Sequence, residues 1–144
     1  MIFDTDIFIW VQRGNKKAAR LIDRTPERHL SIYSYLELLQ AAKNKKQHEY
    51  VRDFLSSFGF LVLPVTENIG HRALVYIEEY SLSHGLRAGD AIIAATATEN
   101  NITLFSSNVG WTTRSICERR LKAASVRACR TPLIQRCAML RLPS

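Results

Sequence analysis

The sequence contains no apolar run of about 18 residues, so it predicts no transmembrane helix and no membrane contact. Its first residues place an acid, Asp4, where a secretory signal would have a basic stretch and an apolar core. Gly and Pro number only 6 and 4, and 47% of the 144 residues are apolar, which excludes collagen-like and disordered chains. We therefore expect one ordinary soluble domain in the cytoplasm.

Zinc-binding cysteine motifs are also absent. The three cysteines, Cys117, Cys129 and Cys137, form no CxxC pair, and no histidine follows His84. The set needed for a structural zinc site is therefore missing, and we expect reduced thiols.

Acidic residues are scarce in the last quarter of the chain. Residues 1–108 hold 12 Lys and Arg against 12 Asp and Glu, whereas residues 109–144 hold 8 against 1, an excess equal to the whole formal charge of +7. This break predicts two parts: a balanced body over residues 1–109 and a basic, Cys-containing tail over residues 110–144.

Within the body, apolar patterns of strand length alternate with patterns of helical period. The predicted strands are Met1–Phe3, Leu30–Ile32, a run over 60–65 that reads as buried on both faces, and Ile102–Ser106. The predicted helices are 16–24, one opened by an S-x-x-E capping box at Ser34, one over 51–58, 67–83 and 88–100. Strands separated by helices predict an α/β domain with a parallel sheet.

Acidic and amide side chains follow the predicted strands or open the predicted helices, where a parallel sheet collects functional groups. They are Asp4 and Asp6 after the first strand, Glu37 after the second, Asp90 at the start of the small-residue helix, and Asn108 after the last strand. Clustered carboxylates raise one another's pKa, and a bound divalent cation is the usual remedy. The pattern therefore predicts a metal site.

Each candidate also has a purely structural explanation. Asp4 and Asn108 are common turn residues, Asp6 is a possible helix cap, the capping box accounts for Glu37 locally, and Asp90 would favour its helix dipole. An acid only three residues into a buried strand, as at Asp4, is the hardest of these to explain structurally.

The ordered segments MIFDTD, SYLELL, GDAIIAATA and TLFSSN resemble the motifs of PIN-domain ribonucleases of the VapC type over residues 1 to about 109. The resemblance implies a three-layer domain with a mostly parallel central sheet flanked by helices. It also implies that Asp4, Glu37 and Asp90 hold Mg²⁺ or Mn²⁺, that Asn108 occupies a catalytic position, and that Asp6 is a supporting ligand.

The function implied by this resemblance is metal-dependent hydrolysis of RNA by the toxin of a toxin–antitoxin pair, with an antitoxin partner and a homodimer. One alternative is a haloacid-dehalogenase-type phosphatase, which also begins with D-x-D after its first strand. Its later Lys and acidic pair are not evident in this sequence. A second alternative is a PIN-like protein that binds without catalysis.

The resemblance ends where the basic tail begins. A reading-frame shift near codon 109 would explain its charge imbalance, clustered cysteines and lack of periodicity. The alternatives are a basic extension that binds RNA and an unrelated structural tail.

Overall fold

A computed structural model describes residues 1–107, which form a parallel sheet with helices packed on both faces. Asn108 and the tail therefore lie outside the described residues. The strands are β1 Ile2–Phe3, β2 His29–Ser31, β3 Leu61–Leu63 and β4 Leu104–Phe105. The helices are α1 Thr5–Gln12, α2 Lys16–Arg24, α3 Ile32–Ala41, α4 Lys45–Ser57, α5 Glu67–His84 and α6 Ala88–Glu99.

The strands pair in the order β3-β2-β1-β4, and every pairing is parallel. Phe3 pairs with Leu30 and with Phe105, so these side chains share one face of the sheet, while Ile2 and Leu104 share the other. The predicted α/β class with a parallel sheet and flanking helices is confirmed.

Two apolar clusters cover the two faces. Phe3 and Leu30 pack with side chains of α1, α2, α3 and α4, whereas Leu104 packs with a cluster from α5 and α6. α6 uses small residues for this purpose: Ala91 and Ala95 are fully buried. Their size allows the helix to approach the sheet closely, as its composition predicts.

Three details differ from the sequence-based expectations. α1 was not expected, because its apolar residues run continuously from Ile7 to Val11 without a helical period. α3 begins before Ser34, with Ser31 as its N-cap, so the predicted capping box is wrong. The run over 60–65 is not buried on both faces: β3 is an edge strand, and Leu61 is 58% exposed.

Within residues 1–107, none of the helices combines the length and hydrophobicity required to cross a bilayer.

We expect the centre of the sheet to dominate stability. Phe3 is fully buried, and its ring lies 5.7 Å from that of Phe105 and 5.8 Å from that of Phe60, measured between centroids. Phe3→Ala should lower the free energy of unfolding by about 3–5 kcal/mol, measured by urea denaturation. Leu61→Ala, at the exposed edge, should cost less than about 1 kcal/mol. An equal loss of unfolding free energy in the two variants would contradict this account of the core.

Candidate active site

An open pocket of about 480 Å³ lies where β1 ends and α1 begins. Side chains from α1, α3 and α6 complete it. Its lining residues are Asp4, Thr5, Asp6, Ile9, Glu37, Gln40, Ala41 and Asp90. Four carboxylates from three separate segments of the chain therefore face one pocket at the carboxyl edge of the sheet, where this fold class places its functional groups.

Asp4 connects the core strand to the pocket. It caps α1, its carboxylate accepts a hydrogen bond from the Thr5 N–H at 2.6 Å, and the residue is only 5% exposed. Burial, and after it the negative charges of Asp6 and Asp90, raise the pKa of Asp4 to about 7. Hydrogen bonds from Ser106 and Thr5 oppose this rise. Asp4 is therefore a carboxylate that its surroundings leave short of positive charge.

Asp6 fastens the segment after β4 to the first turn of α1. Its Oδ2 accepts hydrogen bonds from the Ser107 N–H at 2.7 Å and from the hydroxyl groups of Ser106 and Ser107. Its Oδ1 is buried and has no hydrogen-bond partner among the described residues. One oxygen of Asp6 thus has a structural role, and the other remains available as a ligand.

Glu37 lies in the second turn of α3 and does not cap that helix. The cap is Ser31, whose hydroxyl accepts from the Tyr33 N–H at 3.3 Å. Glu37 Oε2 instead accepts a hydrogen bond from Thr5 Oγ1 at 2.5 Å. The capping explanation of Glu37 is therefore wrong, and its carboxylate is held towards α1.

Asp90 has both a structural and a pocket-facing position. It lies in the first turn of α6, where its Oδ2 accepts from the Arg87 N–H at 3.3 Å. Burial raises the pKa of Asp90, the hydrogen bond from Arg87 opposes this, and the charges of Glu37 and Asp6 raise it again. Glu37 and Asp90 line the same pocket, so the two carboxylates share one environment.

The ring of Tyr33 lies close against the backbone of Gly89, next to Asp90. A Cβ atom on Gly89 would lie 2.4 Å from Cε1 and 2.8 Å from Cζ of Tyr33, which is closer than real contacts allow. Only glycine leaves room for this ring against the first turn of α6.

The structure thus brings Asp4, Asp6, Glu37 and Asp90 to one pocket, while Asn108 lies outside the described residues. Sequence reasoning did not identify Thr5 or Ser107, which orient Glu37 and bind Asp6. A hydroxyl between the two acids of the DTD segment was a signal for the first. Its partner, 32 residues away, could not be identified without the fold.

The donor set fits a hard divalent cation, since every candidate ligand is a carboxylate oxygen. The buried, unpartnered Oδ1 of Asp6 and the raised pKa of Asp4 both indicate missing positive charge. Within residues 1–107, no three His, Cys, Asp or Glu side chains are already close enough to hold a metal ion. Metal binding would therefore have to draw the carboxylates closer together.

Comparison with known proteins gives a consistent result. The family model of the PIN domain matches residues 1–112. The chain is similar to a solved toxin–antitoxin complex from Klebsiella pneumoniae, with 27% identity, 80% of this chain and 91% of that chain covered, and a TM-score of 0.67. No curated protein sequence gives a significant match.

Two further solved structures share the fold. FitAcB from Neisseria gonorrhoeae is 23% identical, with 76% of this chain and 88% of that chain covered, and a TM-score of 0.59. VapBC2 from Rickettsia felis, bound to a DNA fragment from its promoter, is 21% identical, with 76% and 89% covered, and a TM-score of 0.59.

The buried charge of Asp4 should make the metal-free protein less stable as pH rises. Its pKa of about 7 in the folded protein lies above its ordinary value of 3.8, so the folded state holds the proton more tightly. The contribution of Asp4 to stability is therefore greatest below pH 4 and is lost as pH rises through 7, by up to about 4 kcal/mol for this shift. Asp4→Asn, which preserves the helix cap, should remove most of this fall.

Urea unfolding in EDTA at a series of pH values measures this dependence. The matched control is Asp23→Asn, which removes an exposed carboxylate of α2. If Asp4→Asn and the wild type lost stability equally between pH 4 and 7, a buried charge at Asp4 would not be the cause.

The close contact at Gly89 should appear as a change of sign in a double-mutant cycle. In the wild type, Gly89→Ala should cost about 1–3 kcal/mol, because the new methyl group collides with the Tyr33 ring. In a Tyr33→Ala background the same change should stabilise the protein by up to about 1 kcal/mol, since Ala is the better helix former. Thermal unfolding of the four proteins tests this, and an equal cost in both backgrounds would contradict it.

Proposed function

The chain belongs to the PIN-domain family, and on that premise we propose that it is a metal-dependent ribonuclease, the toxin of a toxin–antitoxin pair. The resemblance predicted from its motifs is thereby confirmed, and the haloacid-dehalogenase alternative loses its basis. PIN-domain proteins are generally nucleases, which agrees with a pocket of carboxylates. The single observation that supports the proposal most strongly is the convergence of Asp4, Glu37 and Asp90 on that pocket.

In the proposed mechanism Asp4, Glu37 and Asp90 hold Mg²⁺ or Mn²⁺, and Asp6 supports them. A divalent ion held there would supply Lewis-acid chemistry: it would polarise the phosphoryl oxygens and lower the pKa of an attacking water. The chain's own contribution is orientation. Thr5 fixes the carboxylate of Glu37, and the Arg87 N–H holds that of Asp90.

Asp6 contributes by fastening the end of β4. This hydrogen bond holds Ser107 against the pocket; to Asn108, the next residue in sequence, we assign a catalytic position by family resemblance. Substitution of Asp6 would therefore remove both a candidate ligand and the hydrogen bonds that hold Ser106 and Ser107.

The partners and organisation are proposed on the same basis. The solved complex from Klebsiella pneumoniae is described as a toxin–antitoxin complex, and we propose that this chain likewise binds an antitoxin. The cytoplasm and a homodimer follow from the family resemblance. We propose residues 1–109 as the catalytic domain and residues 110–144 as a separate basic tail, with a reading-frame shift as its origin.

Cleavage of single-stranded RNA with Mg²⁺, Mn²⁺ or EDTA tests the function. Asp4→Asn, Glu37→Gln and Asp90→Asn should each lower kcat at least about 100-fold, the size typical for loss of a group that acts at the reacting atoms. Glu67→Gln, an exposed acid on α5, is the matched control and should leave cleavage unchanged. A thermal shift caused by Mn²⁺ should disappear in the same three variants.

The outcomes separate the alternatives. Metal-induced stabilisation without RNA cleavage would favour a PIN-like protein that binds but does not catalyse. Cleavage that persists in EDTA or in the Asp4 variant would contradict the proposed mechanism.

A further inference from the structure

One segment of the body, residues 13–24, has a marked excess of basic side chains, as does the shorter run Lys43–Lys46. Residues 13–24 hold five basic residues against one acid, so the rest of residues 1–107 holds 7 against 11. The five are exposed: Arg13, Lys16, Lys17, Arg20 and Arg24. None of them forms an ion pair within the part of the chain that the structure describes. Their charge is therefore not used internally.

Stability does not explain the two lysines of this segment. Lys16 and Lys17 occupy the first turn of α2, where the helix dipole disfavours positive charge by about 0.3–1 kcal/mol. The cap of this helix is Asn15, which accepts from the Lys17 N–H at 2.9 Å and needs neither lysine side chain. A role in binding an anionic partner accounts for residues that cost stability where they stand.

A tryptophan connects the basic segment to the acidic pocket. The guanidinium carbon of Arg13 lies 6.0 Å from the centroid of the half-buried Trp10 ring. Trp10 Nε1 donates to Ser107 Oγ at 3.4 Å, and Ser107 in turn binds Asp6 of the pocket. Two contacts therefore separate Asp6 from the ring that holds Arg13.

The pocket itself cannot attract a polyanion in its metal-free state. Its four carboxylates repel phosphate, and residues 1–107 provide no net positive charge to compensate. A phosphate backbone that crosses the pocket needs a separate basic surface beside it. We refer to Trp10, Arg13, Lys16 and Lys17 as the basic platform. Trp10 and Arg13 are joined to the pocket by the contacts through Ser107, and the two lysines follow Arg13 within four residues.

The C-terminal end of α2 lies away from the pocket. Arg24 ends the helix only five residues before β2, and all strands of this parallel sheet begin at the edge opposite the pocket. The residues Arg20 and Arg24 therefore provide the same charge on the same helix at a greater distance from the pocket.

We propose that the basic platform binds the single-stranded RNA next to the bond that is cleaved, an inference that rests on the proposed nuclease function. Arg13 and Lys17 contact phosphates. Trp10 holds the Arg13 guanidinium beside the pocket, and the Trp10 ring also stacks on a base. The nearby aromatic ring and guanidinium favour RNA over an acidic peptide, which offers no bases to stack.

Binding of a labelled single-stranded RNA to the full chain in EDTA tests this assignment without requiring cleavage. Arg13→Ala/Lys17→Ala should weaken binding at least about 10-fold. It should also make the log–log salt dependence shallower by about 1.4, since each phosphate contact contributes about 0.7. The matched control, Arg20→Ala/Arg24→Ala, removes the same charge and should leave both quantities nearly unchanged. Residues 110–144 are the same in every variant, so their contribution cancels.

Cleavage kinetics supply a second readout: Arg13→Ala/Lys17→Ala should raise KM with little change in kcat. If this double variant failed to fold, Lys17→Glu alone, at an exposed position, would test the same prediction. Equal losses in the platform and control variants, or loss in neither, would overturn the proposal. So would selective loss of poly-glutamate binding with RNA binding intact, which would identify an acidic peptide as the partner.

The two proposals fail in different ways. RNA binding that depends on the platform, with no cleavage in Mg²⁺, would refute the nuclease function and leave the binding surface intact. RNA cleavage whose KM does not change when Arg13 and Lys17 are substituted would support the nuclease function and refute the basic platform.

Discussion

The burial of one carboxylate, Asp4, at the end of the central strand is the constraint on which the pocket depends. β1 is fully buried and only two residues long, so the residue that follows it enters the pocket directly from the core. The hydrogen bond from the Thr5 N–H compensates only part of the cost of burial, as the raised pKa of Asp4 shows. The rest of the pocket places further negative charge around it.

Clustering four carboxylates in one pocket costs stability, so other interactions must offset the repulsion between them. Asp6 and Asp90 both raise the pKa of Asp4, and Glu37 raises that of Asp90. A fold selected for stability alone would disperse these charges. Here the surrounding structure fixes them instead: a threonine holds Glu37, two serines hold Asp6, and a backbone N–H holds Asp90. Carboxylates that repel one another and are nevertheless held in place by hydrogen bonds are typical of a functional site.

The sequence predicted helices best where burial is one-sided. The bounds of α2 and α5, which each bury one face, agree with prediction to within a residue, and Gly59 follows α4 with a positive φ of 64°, as expected for a helix stop. α1 was missed because its apolar residues are consecutive. The burial of β3 was misjudged because an apolar run does not reveal whether its strand lies at the edge of the sheet or in its interior.

The candidate site was predictable as a set of residues and not as a set of contacts. Strand ends and family motifs indicated Asp4, Asp6, Glu37 and Asp90, and the structure places all four around one pocket. The bonds of Thr5 to Glu37 and of Ser107 to Asp6 span 32 and 101 residues, so only the folded chain defines them. Local patterns report on neighbours in sequence, whereas these contacts depend on which strands are adjacent.

Glu37 illustrates how a local sequence pattern can suggest the wrong role for a residue. The S-x-x-E pattern offered a complete structural explanation for it, and that explanation was wrong because Ser31 caps the helix first. Once α3 begins at Ile32, Ser34 is an interior residue, fully buried with an unpartnered hydroxyl. Glu37 then has no capping role, and its described hydrogen bond is to Thr5, next to Asp4. Loss of the structural explanation therefore strengthens the functional one, since what remains to account for a half-buried carboxylate is the pocket that it faces.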